Sequence, residues 1–270
     1  MDKNDLIAYI NEKFSDLNTS IANAISVLIQ TPSQFAPSTD SVISLIFNTV
    51  LGTAYVLAAL FFIIDLCNKT LMFETSNYEV TVKLLLRFIL TKVIVENCRG
   101  IMGIIFNAFS GISTQLGGGS LSNPLGTNVA QGLIDHVNTM DGGVFGINYL
   151  AYKLELMPTM LMLWVASIIA GVIVLGRMFE IMIYTAIAPL PLSTLAGEMS
   201  HDTAKKFLQN YIAVCLQGII IIIAFRLFGG IIVDSYSGNI GVLTYLMLVV
   251  VLCLTLFKSG TWAKQIVGIA

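Results

Sequence analysis

The sequence predicts an all-α, polytopic membrane protein with five transmembrane helices and an N-terminal amphipathic helix. Three observations favour this fold class: 56% of the 270 residues are hydrophobic, only 11% are charged, and the mean hydropathy is +0.84. A soluble domain carries about 25% charged residues, and a chain of this size could not bury so much apolar surface. The formal net charge of −2 is too small for nucleic-acid binding by charge alone. These figures exclude a soluble enzyme and a soluble nucleic-acid-binding protein.

The first segment, residues 1–41, is predicted to be an amphipathic helix followed by a linker. Its apolar residues recur at steps of three and four, which is the period of one helical face. They are Ile7, Ile10, Phe14, Leu17, Ile21, Ile25 and Leu28. We expect this helix to pack on its own protein or to lie on the membrane surface, and a contact with another subunit is the alternative. Pro32 and Pro37 then mark the linker.

Five stretches are predicted to cross the bilayer, which takes about 20 residues as a helix. They cover residues 42–66, 80–109, 149 or 159 to 188, 207–233 and 240–257. The second stretch carries the most charge, with five ionisable residues: Lys83, Arg87, Lys92, Glu96 and Arg99. After the N-terminal segment, the chain is therefore divided into two transmembrane helices over 42–109, a connection over 110–158, and three further transmembrane helices with a short tail over 159–270.

The distribution of lysine predicts the orientation of these spans. Alternating five spans places six lysines on one side and three on the other. The first group is Lys69, Lys83, Lys205, Lys206, Lys258 and Lys264, and the second is Lys3, Lys13 and Lys153. Because basic residues accumulate on the cytoplasmic side, the N-terminus is predicted to be exterior and the C-terminus cytoplasmic. The bias is lost if the second stretch does not cross, so the lysines favour a crossing there.

The connection over 110–158 is rich in glycine and nearly free of lysine and arginine, so we expect it to face the exterior. Long loops are usually functional or disordered. A short amphipathic patch argues against full disorder. It consists of Val129, Leu133, Ile134, Val137 and Met140. We expect this loop to carry contacts with other molecules.

Charged residues within the predicted spans are the main candidates for function, because each costs a few kcal/mol at the bilayer centre unless it is paired, hydrated or near the interface. The candidates for an intramembrane polar channel or for packing are Lys92, Glu96, Arg99, Arg177, Glu180 and Arg226. Lys92, Glu96 and Arg99 share one helical face, which predicts a buried polar seam. Arg177 and Glu180 are three residues apart, which predicts a pair within the helix that either fixes packing or lines a polar conduit.

Arg226 is predicted to face a polar interior or a neighbouring subunit, with snorkelling to the headgroups as the alternative. Asp234, just beyond the end of its helix, is the expected partner. Asp65 lies near the cytoplasmic interface and is within reach of Lys69, four residues later in the helix. Lys83 and Arg87 are expected to snorkel to the headgroups there.

The sequence carries no pattern typical of catalysis, a metal site or a cofactor. His136 and His201 are isolated, and the glycine run that starts at Gly117 lacks the lysine of a phosphate loop. The four cysteines have no metal-ligand spacing and are expected to be small core residues. We therefore expect no enzyme and no cofactor, and any energy input has to come from a partner or a gradient.

The stretch over residues 177–198 runs from Arg177-Met-Phe-Glu180 into Ala188-Pro-Leu-Pro-Leu and ends at Glu198. It resembles the segment that ends a central span in the TrbL family (the VirB-six class), the polytopic membrane subunits of conjugal-transfer type IV secretion systems. In that family a helix bearing arginine and glutamate runs into an Ala-Pro turn. Residues 205–218, with their glutamine and glycine, are similar to the continuation into the next span.

This resemblance implies a noncatalytic platform subunit that forms a homo-oligomer in the cytoplasmic membrane and helps form the translocation path for DNA and relaxase. It implies contacts with other type IV secretion subunits, including a separate ATPase, with the translocating DNA-protein substrate and with membrane lipid. The turn at Pro189 and Pro191 is a candidate docking site for a partner, and the alternative is a turn that only ends the helix. Two other functions stay open: a small-solute transporter or channel, with Arg226, Arg177 and Glu180 at its site, and a membrane scaffold without a pore.

Overall fold

The computed structural model describes residues 2–71, 78–117, 130–141, 143, 146–198, 200–236 and 242–269. Within these ranges the chain forms α-helices, one 3-10 helix and connecting turns, and none of the described residues is in a strand. The predicted all-α class is therefore confirmed. The helices are α1 Lys3–Ile29, α2 Pro32–Phe35, α3 Pro37–Leu71, α4 Tyr78–Glu96, α5 Cys98–Gly117, α6 Gln131–Thr139, α7 Ile147–Ile187, α8 Pro189–Ser193, the 3-10 helix Thr194–Ala196, α9 His201–Tyr236 and α10 Val242–Val267.

Four of the described helices, α3, α7, α9 and α10, are long and apolar enough to cross a membrane. The protein is thus a multi-pass membrane protein. The second predicted span, residues 80–109, is helical, but it is divided between α4 and α5 at Asn97 and is not among the four. Its five charged residues lower its hydropathy. The count of five spans is therefore approximate.

The chain forms two compact units, and each is discontinuous in sequence. Unit 1 consists of Met1–Ile29, Gly111–Gly176 and Gln217–Thr261. Unit 2 consists of Gln30–Ser110, Arg177–Leu216 and Trp262–Ala270. Helices α7 and α9 each contribute to both units. Each unit therefore takes residues from several of the segments into which the sequence was divided.

The core of unit 1 contains the apolar face of α1. Of the seven residues in the predicted stripe, all but Ile7 are fully buried, and Leu6 and Ala24 are buried with them. They pack with Leu133 and Val137 of α6 and with residues of α7, α9 and α10. Fully burying an aliphatic side chain contributes about 1.5–3 kcal/mol. The expectation that α1 packs on its own protein is therefore confirmed. The amphipathic patch predicted in the 110–158 connection contributes Leu133, Ile134 and Val137 to α6.

The connection predicted over 110–158 is shorter in the structure, because helices occupy both of its ends. Helix α5 continues to Gly117, and α7 begins at Ile147 and passes through Pro158. A proline is tolerated inside a membrane helix when neighbouring groups satisfy the carbonyl that it frees. Gly143 and Gly146 precede α7 with φ of 64° and 73°, a conformation that favours glycine. Residues 118–129, with Val129 of the predicted patch and several of the glycines, lie outside the described residues.

In unit 2, α3 packs against α4 and α8. Pro189 and Pro191 do not form an open turn, because they lie in the first turn of α8, directly after α7. Proline suits this position, since its missing N–H has no partner there in any helix. Pro189 and Leu192 are buried and Pro191 is half-buried. The predicted docking turn is thus largely covered by its own chain.

Candidate functional site

Five polar residues of α3 share one face of that helix. At 100° per residue, they fall within an arc of about 80°. They are Asp40, Ser44, Tyr55, Asp65 and Lys69. Each contacts a polar group of α4, of α5 or of the connection between α8 and α9, all within unit 2. We call these residues and their partners the polar seam. Asp40, Ser44 and Tyr55 were not among the predicted site residues, although their helical spacing places them on one face of α3.

The first level of the polar seam joins α3 to α5 through Arg99. The Nη2 atom of Arg99 donates to Oδ1 of Asp40 at 2.6 Å, and Nη1 donates to the Ser44 hydroxyl at 2.8 Å. The side chains of Arg99 and Asp40 are 40% and 37% exposed. Hydrogen bonds between ionised groups are about twice as strong as neutral ones. Arg99 is therefore held in one orientation between two residues of α3.

The second level lies where α3 passes the end of α4. The Tyr55 hydroxyl donates to Oε1 of Glu96 at 3.2 Å, and Nζ of Lys92 lies 3.9 Å from the same oxygen. The predicted seam of Lys92, Glu96 and Arg99 thus includes contacts with α3, but it is not buried. Lys92 and Glu96 are exposed because this side of α4 is not covered by the rest of the described chain.

The third level joins α3 and α4 to the connection before α9. Asp65 is buried, and its Oδ2 atom accepts a hydrogen bond from the backbone N–H of Glu198. Nη1 of Arg87 lies 4.0 Å from Oδ2 of Asp65 and 3.7 Å from Oε2 of Glu198. Nζ of Lys69 lies 2.6 Å from Oε2 of Glu198. This hydrogen bond to Lys69 is the main reason why the pKa of Glu198 is below its ordinary value.

Two of these residues have partners that the local sequence did not indicate. Lys69, which is within reach of Asp65 along the helix, pairs with Glu198, and Nη1 of Arg87 lies near Asp65 and Glu198. The physical reason is that the fold brings Glu198 next to α3. A carboxylate 129 residues after Lys69 cannot be chosen as its partner from local spacing. Lys83 is exposed as expected and pairs with Glu79 at 2.7 Å.

Arg177 lies in the interior of unit 2 and binds main-chain oxygens of α9. Its side chain donates from Nε to the carbonyl of Val214 at 2.8 Å and from Nη2 to that of Cys215 at 3.2 Å. Glu180 is exposed and makes no ion pair with Arg177 within 4 Å. The predicted pair is therefore wrong, because α7 turns Arg177 toward α9 and leaves Glu180 outside. On the same face of α9, the Tyr211 hydroxyl donates to the carbonyl of Met102 at 3.0 Å.

Arg226 is half-buried in unit 1, and the side chain of its predicted partner Asp234 lies outside the described residues. The same helix carries a polar contact that sequence reasoning did not find. Nε2 of Gln217 donates to the Ser259 hydroxyl of α10 at 3.2 Å, and the Ser259 hydroxyl donates to the carbonyl of Leu256 at 2.6 Å. Gln217 and Ser259 are 42 residues apart, so their contact depends on how α9 packs against α10 and not on local sequence.

Within the part of the chain that the structure describes, no group of three histidine, cysteine or acidic side chains is placed to hold a metal ion. The four cysteines are free; Cys98, Cys215 and Cys253 are buried as expected, whereas Cys67 is exposed. The interactions that the polar seam makes are ion pairs and hydrogen bonds between α3 and its neighbours.

A family model described as TrbL/VirB6 plasmid conjugal transfer like protein matches residues 17–189. This range is more than half of the chain and contains α3, α4, α5 and α7 up to the first residue of α8. The chain belongs to the TrbL/VirB6 family. Comparisons with curated proteins and with solved structures give no match. Membership makes the protein a membrane component of the conjugal transfer machinery, from a family of structural subunits that associate with other type IV secretion subunits.

Proposed function

We propose that this TrbL/VirB6 family member is a noncatalytic platform subunit of a conjugative type IV secretion channel and helps form the translocation path for DNA and relaxase. The polar seam is the observation that supports this proposal. From Asp40 to Lys69, α3 rises about 44 Å, whereas the hydrocarbon core of a bilayer is about 30 Å thick. Charged side chains persist at membrane depth only where they face protein or water. The seam places charged and polar side chains at three levels along this membrane helix, and such an arrangement suits a path for polar cargo.

The partial exposure of the seam indicates where this path would lie. Arg99, Asp40, Lys92 and Glu96 all keep more than a third of their side-chain surface exposed. Exposed charges facing lipid would be costly, so we propose that the seam faces a second copy of the chain or water between copies. The functional unit is then a homo-oligomer in the cytoplasmic membrane, with the path between protomers.

The proposal includes a fixed orientation and separate partners. The N-terminus is exterior and the C-terminus cytoplasmic, as the lysine distribution favours. Energy comes from a separate ATPase of the secretion system. Of the predicted docking turn, Pro191 retains exposed surface for such a partner, and the glycine-rich connection between α5 and α7 meets exterior subunits.

The test is a charge reversal across the first level of the seam. In a donor strain that lacks the gene and is complemented with variants, Arg99→Glu places two like charges at the position of a 2.6 Å contact with Asp40. We expect the frequency of plasmid transfer to fall about tenfold or more, since a tenfold change corresponds to only about 1.4 kcal/mol. Adding Asp40→Arg in the same chain restores opposite charges and should recover most of the transfer.

The matched control is Lys264→Gln, which removes an exposed charge from α10 outside the seam and should leave transfer unchanged. Immunoblots of the membrane fraction show whether each variant is inserted at the normal level. Normal transfer by the inserted Arg99→Glu variant would overturn the role of the seam. An inserted double variant that stays as inactive as the single one would show that pairing of Arg99 with Asp40 is not what transfer requires.

A further inference from the structure

A groove of about 430 Å³ runs along the surface of α4 in unit 2, between α4 and the residues that connect α8 to α9. One wall is a face of α4 that contains Lys83, Leu86, Leu90 and Ile94. The other wall includes Leu195 and His201. Both walls belong to one unit, so the groove is formed without a second copy of the chain.

The groove changes from cationic to apolar along its length. Lys83, Arg87 and His201 are its basic residues. Leu86 lies between Lys83 and Arg87 in sequence, and Leu90 and Ile94 follow at helical spacing, so the three make an aliphatic wall. The one polar side chain within that wall, Thr91, donates its hydroxyl to the carbonyl of Arg87 at 2.9 Å and is buried.

The length of the groove along α4 corresponds to one leaflet of a bilayer. Lys83 and Ile94 are eleven residues apart on α4, which is about 16 Å along the helix axis. Half of a hydrocarbon core of about 30 Å is about 15 Å. A ligand with an anionic head at Lys83 and an acyl chain that ends near Ile94 therefore fits the spacing.

Lys83 and Arg87 keep exposed surface for an anion, whereas Nε2 of the exposed His201 lies 3.4 Å from Oδ1 of Asp202. Lys83 contacts Glu79, but their side chains are 72% and 78% exposed, and such surface pairs contribute little. Arg87 turns Nη1 toward the carboxylates of Asp65 and Glu198, and its side chain is still 40% exposed. Guanidinium groups bind phosphate through several N–H donors, so Arg87 can serve the seam and a phosphate together.

The apolar wall needs a covering group. Leu86 and Leu90 are 53% and 61% exposed, and large apolar side chains cluster in this way where lipid or a partner covers them. We propose that the groove binds one anionic phospholipid, whose phosphate lies among Lys83, Arg87 and His201 and whose acyl chain lies along Leu86, Leu90 and Ile94. This site does not depend on the conjugative role, because it needs only a chain that is embedded in a bilayer.

The test compares lipids on the purified full-length protein in detergent. Phosphatidylglycerol and phosphatidylcholine are titrated, and bound lipid is counted by native mass spectrometry, with the thermal unfolding midpoint as a second readout. We expect phosphatidylglycerol to bind more tightly and to raise the midpoint more. The double variant Lys83→Gln/His201→Gln should weaken phosphatidylglycerol binding about fivefold and reduce the preference over phosphatidylcholine.

A second variant tests the apolar wall. Leu90→Trp fills the groove and should weaken binding of both lipids, whereas Leu85→Trp adds the same bulk on α4 outside the lining and should not. Lys264→Gln is the matched control for loss of an exposed charge. Size-exclusion chromatography shows whether each variant is folded. If the Leu90→Trp variant does not fold, the Lys83→Gln/His201→Gln variant tests the site.

Three outcomes would overturn the proposal. Equal binding of the two lipids would show that the groove does not select an anionic headgroup. Unchanged phosphatidylglycerol binding by a folded Leu90→Trp variant would show that the lipid does not bind in the groove. A photo-crosslinker at position 90 that captures a protein segment in native membranes, with no lipid adduct, would make the groove a protein-docking surface.

Discussion

Arg177 carries a charge into the interior of unit 2 without an acidic partner among the described residues within 4 Å. The residue is only 3% exposed, and the two short contacts of its guanidinium are with main-chain carbonyls of α9. A planar guanidinium can donate to two carbonyls at once, and an ammonium on a flexible stem cannot reproduce that geometry. The residue thus connects α7 to α9 through its shape as well as through its charge.

We predict that Arg177→Lys lowers the free energy of unfolding by about 1–3 kcal/mol, because one of the two hydrogen bonds to α9 is lost in a buried place. Thermal or denaturant unfolding of the purified protein in detergent measures this. Glu180→Gln is the control on the same helix and should change stability by about 0.5 kcal/mol or less, since Glu180 is exposed. A loss in Glu180→Gln as large as that in Arg177→Lys would contradict the assignment of this stability to the contacts between Arg177 and α9.

At the scale of elements, the contact between α1 and α6 follows from two amphipathic patterns that lie more than 100 residues apart. Leu133 and Val137 of α6 are buried against the apolar face of α1. Nζ of Lys3 donates to the carbonyl of Asn138 at 3.2 Å. Most of the stability of such helices comes from packing of their apolar faces rather than from intrinsic helix propensity.

We predict that Val137→Asp releases α1 from α6. A carboxylate at this fully buried position has no partner, and an uncompensated buried charge costs about 3–5 kcal/mol. Hydrogen exchange of the full chain should show faster exchange over residues 3–29. Gln131→Asp is the control, because it adds the same charge to α6 at an exposed position. Unchanged exchange over α1 in the Val137 variant would show that α6 does not hold it.

At the scale of the whole molecule, the number of crossings depends on the helical segment over 80–109. If this segment crosses, the residues before α3 and those at the start of α9 lie on opposite sides of the membrane. If it does not, they lie on the same side. The charges of the segment alone do not decide between these arrangements, because several of them are paired with α3, with Glu198 or within α4.

We predict opposite labelling of single cysteines introduced at Ser33 and Thr203, which are both exposed. The background carries Cys67→Ser, since Cys67 is the exposed native cysteine among the four. A membrane-impermeant maleimide added to intact cells should label position 33 and should label position 203 only after permeabilisation. Labelling of both positions in intact cells would refute the five-span topology.

The fold class and most helices were predictable from the sequence because they depend on local pattern. Apolar runs of membrane length predict α3, α7, α9 and α10, and steps of three and four predict α1 and α6. The sequence left the start of α7 open between residues 149 and 159, since Pro158 is a typical signal of a helix end, and the helix begins at Ile147, close to the first alternative. Pro189 was predicted to lie in a turn, but it is the first residue of α8. Proline ends one helix and also suits the first turn of the next, so the residue type alone does not distinguish the two.

Membrane location, helical fold class and the set of charged residues that need partners in the bilayer all follow from the order of residues along the chain. The identity of those partners depends on helix packing: Asp40 for Arg99, Tyr55 for Glu96, and Glu198 for Lys69. The reason is physical. Helix formation and membrane insertion depend on neighbours within a few turns, whereas an ion pair depends on which helices pack side by side, and that arrangement is a property of the whole fold.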